Sequence, residues 1–286
     1  MKLQGKGIVI TGANQGLGKE IARACVAAGA NVLLCARDGA LLKQTCAELN
    51  HGSADGQRIL SQVTDVSQPE EVRELISCAE SSLPQIHGLV NNAAILGPKD
   101  LVENAEWKEW VRTIEINLLG TVLTCRAVLP VFRRQGYGKI VNLSGGGATS
   151  PRPRFSAYAA SKAAVVRFTE TLAEETKGSG IDVNAVAPGA LNTRLLNEVV
   201  AAGPEKVGSE YERALKQKQG GGESLEKAAE LCVFLLSGDS DGINGKLVSA
   251  VWDPWPTLAE RRVELEQTDI YTLRRIRPED RGRTWN

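Results

Sequence analysis

The feature that most constrains this chain is the alternation of two kinds of segment over its first 251 residues. Short runs rich in valine, isoleucine and leucine are followed by longer amphipathic segments, with glycine, proline or polar residues between them. The short runs predict seven strands, at residues 7–11, 31–35, 58–63, 86–91, 139–144, 181–187 and 246–251. The longer segments predict helices at residues 17–28, 39–49, 69–82, 107–134 (interrupted near Gly120), 155–177 and 225–236.

Strands that alternate with helices of this length are typical of βαβ crossovers, which place consecutive strands parallel in one sheet. The predicted strands are apolar on both faces, as a sheet covered by helices on both sides requires. We therefore predict an α/β fold with a single doubly wound parallel sheet over residues 1–251, followed by a C-terminal extension over residues 252–286. A ligand is expected beyond the carboxyl ends of the strands.

Composition excludes several classes of protein. Lys and Arg total 34, as do Asp and Glu, so the zero net charge gives no general attraction to nucleic acid or to an anionic membrane. We see no run of about 18 apolar residues that would predict a membrane span, and the N-terminal apolar run is too short for a signal peptide. The six cysteines form no CxxC or zinc-ligand pattern. We expect a cytoplasmic protein with free thiols and no bound metal.

A glycine-rich turn lies between the first predicted strand and the first predicted helix, in the sequence Thr11-Gly-Ala-Asn-Gln-Gly-Leu-Gly18. Free N–H groups and the helix dipole at such a helix start favour a pyrophosphate, and missing side chains let the backbone approach it. We predict that Gly12, Asn14, Gln15, Gly16, Leu17 and Gly18 bind a dinucleotide. An ordinary glycine-rich turn is the alternative.

Tyr158 and Lys162 are four residues apart, which places them on one face of the predicted helix. A phenol with a pKa near 10 is a poor acid–base catalyst at pH 7, but a nearby ammonium group would favour the phenolate. By itself this pair is weak evidence, since Tyr-x-x-x-Lys arises often on exposed helices.

Together, these motifs resemble the short-chain dehydrogenase/reductase family. The resemblance rests on TGxxxGxG, Asn91-Asn-Ala-Ala94, Asn117, Tyr158-x-x-x-Lys162 and Pro188-Gly189, in this order, and it covers about residues 5–251. The glycine spacing is similar to that of the family's shorter form. The resemblance implies a Rossmann-type fold, hydride transfer between a nicotinamide cofactor and a small alcohol or carbonyl substrate, and a homodimer or homotetramer.

The resemblance also implies a role for each matching residue. Tyr158 matches the general acid/base, Lys162 the lysine that bonds the nicotinamide ribose and lowers the pKa of the tyrosine, and Asn117 the asparagine that holds a water in the proton relay. Further cofactor contacts are implied near the adenine ring (Asp65, Val66), in the NNAA element (Asn91, Ala93) and opposite the nicotinamide (Pro188, Gly189, Thr193). The resemblance further implies that Asn91 steadies the sheet.

One departure concerns the family's catalytic serine, which usually lies thirteen residues before the tyrosine. That position is Gly145 here, and Ser144 precedes it. If the loop is one residue longer, Ser144 orients the substrate carbonyl, and this is our prediction. The alternative is that Gly145 truly replaces the serine, with Thr149 or Ser150 substituting or with no hydroxyl acting.

The end of the second strand bears on the choice of cofactor. An acidic residue there would bind the adenine ribose and repel a 2′-phosphate, but the expected position is Ala36 and the next residue is Arg37. An arginine suits a phosphate, so we predict NADP, with NAD as the alternative. Asp38 is interpreted as a helix N-cap.

Other readings of the sequence remain open. The shifted serine is compatible with a non-catalytic dinucleotide-binding protein, and the same site could serve an epimerase or a dehydratase. Arg152 and Arg154, between prolines before Tyr158, either contact an anionic substrate or lie in a solvated loop.

The C-terminal extension contains Trp252, Trp255, Tyr271 and Trp285. Because disordered tails are poor in aromatic residues, we predict that it is ordered and covers the substrate pocket or a neighbouring subunit. Packing on its own subunit, far from the site, is the alternative. Thr257 is predicted to cap a helix that runs to about Glu266.

Overall fold

The structure is a computed structural model that describes residues 1–284. It contains one seven-stranded sheet, in the order β3-β2-β1-β4-β5-β6-β7, and every neighbouring pair of strands is parallel. The strands are β1 (Gly7–Thr11), β2 (Asn31–Ala36), β3 (Ile59–Val63), β4 (Ile86–Asn91), β5 (Gly138–Leu143), β6 (Ile181–Ala187) and β7 (Leu247–Ser249). The predicted doubly wound parallel sheet is confirmed.

The helices that connect the strands are α1 (Gly16–Ala27), α2 (Gly39–His51), α3 (Pro69–Ser82), α4 (Trp107–Ile114), α5 (Gly120–Gln135), α6 (Ser156–Glu175), α7 (Arg194–Val207), α8 (Glu210–Gln219) and α9 (Leu225–Leu236). The six predicted helical segments lie close to their predicted bounds, whereas α7 and α8 occupy a stretch for which no helix was predicted. A π-helical turn, Glu115–Leu119, joins α4 to α5. It accounts for the interruption predicted near Gly120.

The two faces of the sheet form two apolar layers. Successive side chains of a strand point to opposite faces, and β1 shows this directly. Ile8 and Ile10 are buried in the layer that holds α1, α2 and α9, whereas Val9 is buried in the layer that holds α3, α5 and α6. Helices on both faces explain why β1 and β2 are buried along their whole length.

The strand order reverses direction at β1, which pairs with β2 on one side and with β4 on the other. The chain proceeds outward from β1 to β3 and then returns to β4. This reversal opens a crevice between the carboxyl ends of β1 and β4. The glycine-rich turn after β1 and the asparagines at the end of β4 therefore lie side by side.

The segment Trp107–Gln135, α4 through α5, is 29 residues long and apolar enough to meet the length and composition of a membrane span. Its best window has a mean hydropathy of 1.5, and 44% of that window is buried in the protein. The expectation that no segment has the length and apolar composition of a membrane span is therefore wrong. Val128 and Phe132 of this segment are buried against the sheet, as in a core helix.

The C-terminal extension packs on its own domain. A 3₁₀ helix, Trp255–Arg261, leads into α10 (Arg262–Gln267), and Leu258 and Leu265 are buried in the layer that holds α1 and α9. The Tyr271 carbonyl accepts a hydrogen bond from the Leu247 N–H of β7 at 2.8 Å, so the extension covers the free edge of the sheet. Trp252 and Asp253, at its start, line the main cavity.

One detail of the extension was predicted differently. Thr257 lies inside the 3₁₀ helix, where its hydroxyl donates to the Pro254 carbonyl at 3.0 Å, so the prediction that it caps an α-helix is wrong. Trp285 lies outside the described residues.

The buried leucines of the extension predict a measurable contribution to stability. We expect Leu265→Ala to lower the free energy of unfolding by about 2 kcal/mol, because the leucine is 3% exposed in the main apolar layer. Val263→Ala, two residues away and 66% exposed, is the matched control and should change stability little. Chemical denaturation of the two variants measures the difference. Equal stability of both variants would mean that the extension does not pack as described.

Candidate active site

A cavity of about 1530 Å³ lies beyond the carboxyl ends of the strands. Its volume exceeds the 300–1,000 Å³ or so of an ordinary small-molecule site, so it has room for a dinucleotide and a second molecule. The predicted site residues that line it are Gly12, Asn14, Gln15, Gly16, Leu17, Gly18, Arg37, Asp65, Val66, Ala93, Ser144, Tyr158, Lys162, Pro188, Gly189 and Thr193. Asn91 and Asn117 are not among the lining residues.

The glycine-rich turn forms a backbone cradle at one end of this cavity. A Cβ atom on Gly12 would lie 2.8 Å from the Cα of Ala93, and one on Gly18 would lie 2.2 Å from the Gly12 carbonyl oxygen. Gly12 also has a φ of +62°, which disfavours any other residue. Side chains are therefore excluded where the backbone must approach both the neighbouring loop and a ligand.

The start of α1 points its free N–H groups into the cradle. Gln15, at the N-cap, makes no side-chain capping bond, and no acidic residue lies in the first turn. The uncapped N–H groups and the positive end of the helix dipole remain available to an anion. This observation shows that the residues present fit the pyrophosphate of a dinucleotide.

The two asparagines that end β4 have different positions. Asn91 is buried and donates to the Asn142 side chain at 2.9 Å, while it accepts from Thr124 at 2.7 Å, so it ties β4 to β5 and α5. The structure thus places Asn91 in the sheet and not at the cavity. Asn92, which the sequence reasoning missed, lines the cavity and donates to the carbonyl oxygens of Thr11 and Gly12.

Tyr158 and Lys162 lie on the cavity wall at the start of α6, as the i, i+4 spacing predicted. The Lys162 ammonium is 5.8 Å from the centre of the Tyr158 ring and donates to the Leu143 carbonyl at 2.7 Å. Burial lowers the pKa of Lys162 to about 8. Burial also raises the pKa of Tyr158 above its ordinary value, and the charge of Arg152 partly opposes that rise.

Asn117 lies behind this pair in the π-helical turn, where it is 1% exposed. Its side chain accepts from the Ile95 N–H at 2.9 Å and donates to the Ser161 hydroxyl at 3.0 Å. The widened turn, a feature often found at functional sites, brings this amide between α6 and the loop after β4. Asn117 is thus fixed next to the tyrosine helix without lining the cavity.

Ser144 and Gly145 follow β5 and face the tyrosine. The Ser144 hydroxyl is buried and has no hydrogen-bond partner among the described residues, although its residue lines the cavity. A Cβ atom on Gly145 would lie 2.4 Å from the Tyr158 hydroxyl oxygen. The structure therefore places Gly145 directly against the Tyr158 phenol. The preceding residue, Ser144, has a hydroxyl without a hydrogen-bond partner among the described residues.

The end of the cavity next to β2 contains Arg37. Arg37 is exposed and makes no hydrogen bond or ion pair within residues 1–284, so its guanidinium is available to a ligand. Asp38 accepts from the Leu41 N–H at 3.0 Å and caps α2, as interpreted from the sequence. Asp65 lies at the cavity rim. Its carboxylate is 2.5 Å from the Arg112 guanidinium, so its negative charge is already paired.

The segment after β6 closes the cavity from the opposite side. Gly189 has a φ of +90°, and a Cβ atom there would lie 2.6 Å from Val251. Thr193 begins α7 without a capping bond, and its methyl group would be 3.6 Å from a Cβ atom on Gly16. Pro188, Gly189 and Thr193 therefore face the glycine cradle across the cavity.

A charged cluster on this side was not identified as part of the site from the sequence. Arg152 bonds Glu210 of α8 at 2.9 Å, and Glu210 also accepts from Arg213 at 2.8 Å. All three residues line the cavity. From the sequence, Arg152 was considered as a contact for an anionic substrate. Its contact with Glu210, 58 residues away, follows from no local sequence pattern.

Comparison with known proteins agrees with this architecture. The profile described as short chain dehydrogenase matches residues 6–203, which is more than half of the chain. The chain belongs to the short-chain dehydrogenase/reductase family. A short-chain type dehydrogenase/reductase of Picea abies is 32% identical over 257 residues, covering 86% of this chain and 91% of the relative. The family assignment makes the protein an oxidoreductase and confirms the resemblance drawn from the sequence.

Two solved structures of short-chain dehydrogenases/reductases carry cofactors. Actinorhodin polyketide ketoreductase with NADPH has a TM-score of 0.78 and 27% identity, covering 85% of this chain and 95% of its own. Xylitol dehydrogenase bound to NAD⁺ has a TM-score of 0.80 and 26% identity, covering 87% of this chain and 98% of its own. Similar structures thus bind either nicotinamide cofactor.

Proposed function

We propose that this protein is an NADP(H)-dependent enzyme that interconverts an alcohol and a carbonyl compound, with Tyr158 as its general acid/base. The observation that carries the proposal is the placement of Tyr158 and Lys162 on the wall of the same cavity whose other end is the glycine cradle. An epimerase or a dehydratase would use the same wall, and a test of net hydride transfer separates these functions.

Tyr158 and Lys162 have separate roles in the proposed reaction. A bound nicotinamide supplies a hydride for carbonyl reduction or accepts one in alcohol oxidation. During reduction, the Tyr158 hydroxyl donates its proton to the substrate oxygen as the carbonyl carbon receives the hydride, and in oxidation the phenolate removes that proton. Lys162 holds the nicotinamide ribose and favours the phenolate by its charge.

Two further residues support this proton transfer in our proposal. Ser144 orients the substrate carbonyl, because its buried hydroxyl has no partner within the described residues. We keep for Asn117 the relay-water role that the family resemblance implies, although its side-chain amide is already bonded to Ile95 and Ser161.

The cofactor contacts follow from the cradle. We propose that the turn from Gly12 to Gly18 binds the pyrophosphate, that Asp65 and Val66 border the adenine, and that Ala93, Pro188, Gly189 and Thr193 border the nicotinamide half. Asn91 supports the sheet beneath this site through Asn142 and Thr124. Because the two cofactor-bound structures above differ in cofactor, the preference for NADP over NAD rests on Arg37.

Arg37 gives this preference a direct test. We expect Arg37→Ala to reduce the ratio of NADPH to NADH catalytic efficiency at least tenfold, because charge-assisted bonds to a phosphate contribute about 1.5–3 kcal/mol. Steady-state kinetics with each cofactor measures the ratio. Arg73→Ala, on the exposed surface of α3, is the control for loss of a positive charge. An equal loss with both cofactors would show that Arg37 does not contact a 2′-phosphate.

We also propose a homo-oligomer in the cytoplasm. Trp107 is 67% exposed and stacks on Trp110 with ring centres 5.5 Å apart, and Leu119 on the same long helical segment is 47% exposed. Such an apolar surface is typical of an interface between subunits. The six cysteines, all unpaired, suit a reducing compartment. The solution mass of the protein tests the dimer or tetramer.

A further inference from the structure

The Arg152 guanidinium lies next to the catalytic tyrosine on the substrate side of the cavity. It is 5.7 Å from the centre of the Tyr158 ring and 4.2 Å from the centre of the Phe155 ring. Its side chain is 22% exposed. A cation in this position is held against two aromatic faces and partly removed from water, where its field is stronger than at the surface.

The glycine triplet after Ser144 leaves the approach to this cation open. A Cβ atom on Gly145 would lie 2.4 Å from the Tyr158 hydroxyl oxygen, and one on Gly146 would lie 3.9 Å from Nη1 of Arg152. The phenol and the guanidinium therefore border neighbouring residues of the same glycine segment. Residues 145–147 carry no side chain, so none of them separates the phenol from the guanidinium.

The hydrogen bonds of Arg152 leave its forked end available. Nε donates to Glu210 at 2.9 Å, while the two Nη groups make no hydrogen bond to any residue of the described chain. Glu210 is shared with Arg213, so the cluster carries two positive charges and one negative charge at the cavity wall. An arginine anchored through Nε presents its Nη donors in a fixed plane, which suits an oxygen acceptor.

The charges that face Tyr158 come from two elements. Lys162 approaches from α6, with its ammonium 5.8 Å from the ring centre, and Arg152 approaches from the loop after β5. Burial raises the pKa of Tyr158 and the charge of Arg152 lowers it. Glu210 and Arg213, both on α8, lie farther from the phenol, and Glu210 is bonded to both arginines.

We propose that Arg152 is a catalytic residue of this enzyme: its guanidinium, anchored by Glu210, faces the substrate oxygen next to Tyr158 and stabilises the negative charge that develops there. The proposal rests on the function proposed above. It assigns Glu210 a positioning role, because α8 then holds the guanidinium in place. A carbonyl substrate must then leave room at its oxygen for Arg152 as well as for Tyr158 and Ser144.

The kinetic test compares Arg152→Gln with Arg152→Lys over a range of pH. We expect Arg152→Gln to lower kcat for alcohol oxidation about tenfold or more, and to shift the rise of the rate to higher pH. The direction follows because loss of a cation raises the pKa of Tyr158, so more base is needed to form the phenolate. Arg152→Lys keeps the charge and should restore the pH profile more than the rate.

Arg154→Gln is the matched control, two residues along the same loop. Its side chain donates to the Glu205 carbonyl at 2.8 Å, and it does not line the cavity. We expect its pH profile to match that of the wild-type enzyme. The proposal is overturned if Arg152→Gln leaves kcat and the pH profile unchanged, if it changes KM alone, or if Arg154→Gln has the same effect.

A second measurement separates this proposal from the proposed function. The near-ultraviolet absorbance of phenolate, compared between the wild-type protein and Tyr158→Phe, isolates the ionisation of Tyr158 without any turnover. We expect that ionisation to move to higher pH in Arg152→Gln. If it moves while the wild-type protein reduces no carbonyl, the proposed function fails and the charge effect of Arg152 stands. If turnover is normal and the ionisation does not move, the Arg152 proposal fails by itself.

Discussion

Tyr158→Phe is expected to lower turnover by about 10²–10⁴-fold, the usual contribution of a general acid/base. The hydroxyl faces the cavity and makes no hydrogen bond to the described residues, so its loss leaves no internal partner unsatisfied. The ring, 7% exposed, keeps its packing. We therefore expect the fold and the affinity for NADPH to remain within a few-fold of wild type, since only the proton-transferring group is removed. Single-turnover rates and equilibrium titration of NADPH measure the two effects separately.

Tyr137→Phe is a matched control for this substitution. Tyr137 bonds Asp241 and Lys6, precedes β5 and does not line the cavity. Loss of its hydroxyl should leave turnover near that of the wild-type enzyme. Residual activity of Tyr158→Phe above a tenth of wild type would rule out Tyr158 as the acid/base.

Gly145→Ser should lower kcat by about 10²-fold, although the family resemblance leads one to expect a serine thirteen residues before the tyrosine. The new Cβ would lie 2.4 Å from the Tyr158 hydroxyl oxygen, so the phenol must move by a large part of an ångström. A displacement of about 1 Å in a catalytic group can cost about 10²-fold in rate. Gly145→Ala adds the Cβ without the hydroxyl and should lose a similar factor. A Gly145→Ser enzyme that is faster than wild type would show that the serine role belongs to position 145.

Ser144→Ala tests the remaining hydroxyl. Its oxygen is buried without a partner among the described residues, so the alanine variant should fold with unchanged stability. If Ser144 orients the substrate carbonyl, turnover should fall by about 10²-fold, the effect of one lost transition-state donor. An alanine variant that works at full rate would remove Ser144 from the mechanism.

Much of the fold could be predicted because its signals are local. The bounds of β1, β4, β6, α3 and α9 match the predicted ranges, since buried apolar runs and a proline at the first turn of α3 fix them. The C-terminal extension was less predictable. Its 3₁₀ helix depends on the packing of Leu258 under α9 and not on the capping preference of Thr257.

The candidate site also has parts that could be predicted from local sequence and parts that could not. Local turn chemistry and helical spacing singled out Gly12, Tyr158 and Lys162, but their placement in one site followed only from the family resemblance; all three line the same cavity. The sheet-supporting role of Asn91 was expected from the family resemblance, but the position of Asn92 at the cavity was not, because a single residue of register decides which side chain turns into the sheet. The pairing of Arg152 with Glu210 could not be predicted either, because it depends on how α8 returns over the cavity.

The central claim is that this protein transfers a hydride between NADP(H) and an alcohol or carbonyl substrate. The most direct test follows nicotinamide absorbance with the wild-type protein over a panel of ketones and alcohols, using NADPH, NADH and their oxidised forms. We predict a net change in absorbance with at least one substrate, faster with NADPH than with NADH, and absent in Tyr158→Phe. Tight binding of NADPH with no net absorbance change for any ketone or alcohol would contradict the claim, and would instead indicate a non-catalytic dinucleotide-binding protein or an epimerase or dehydratase.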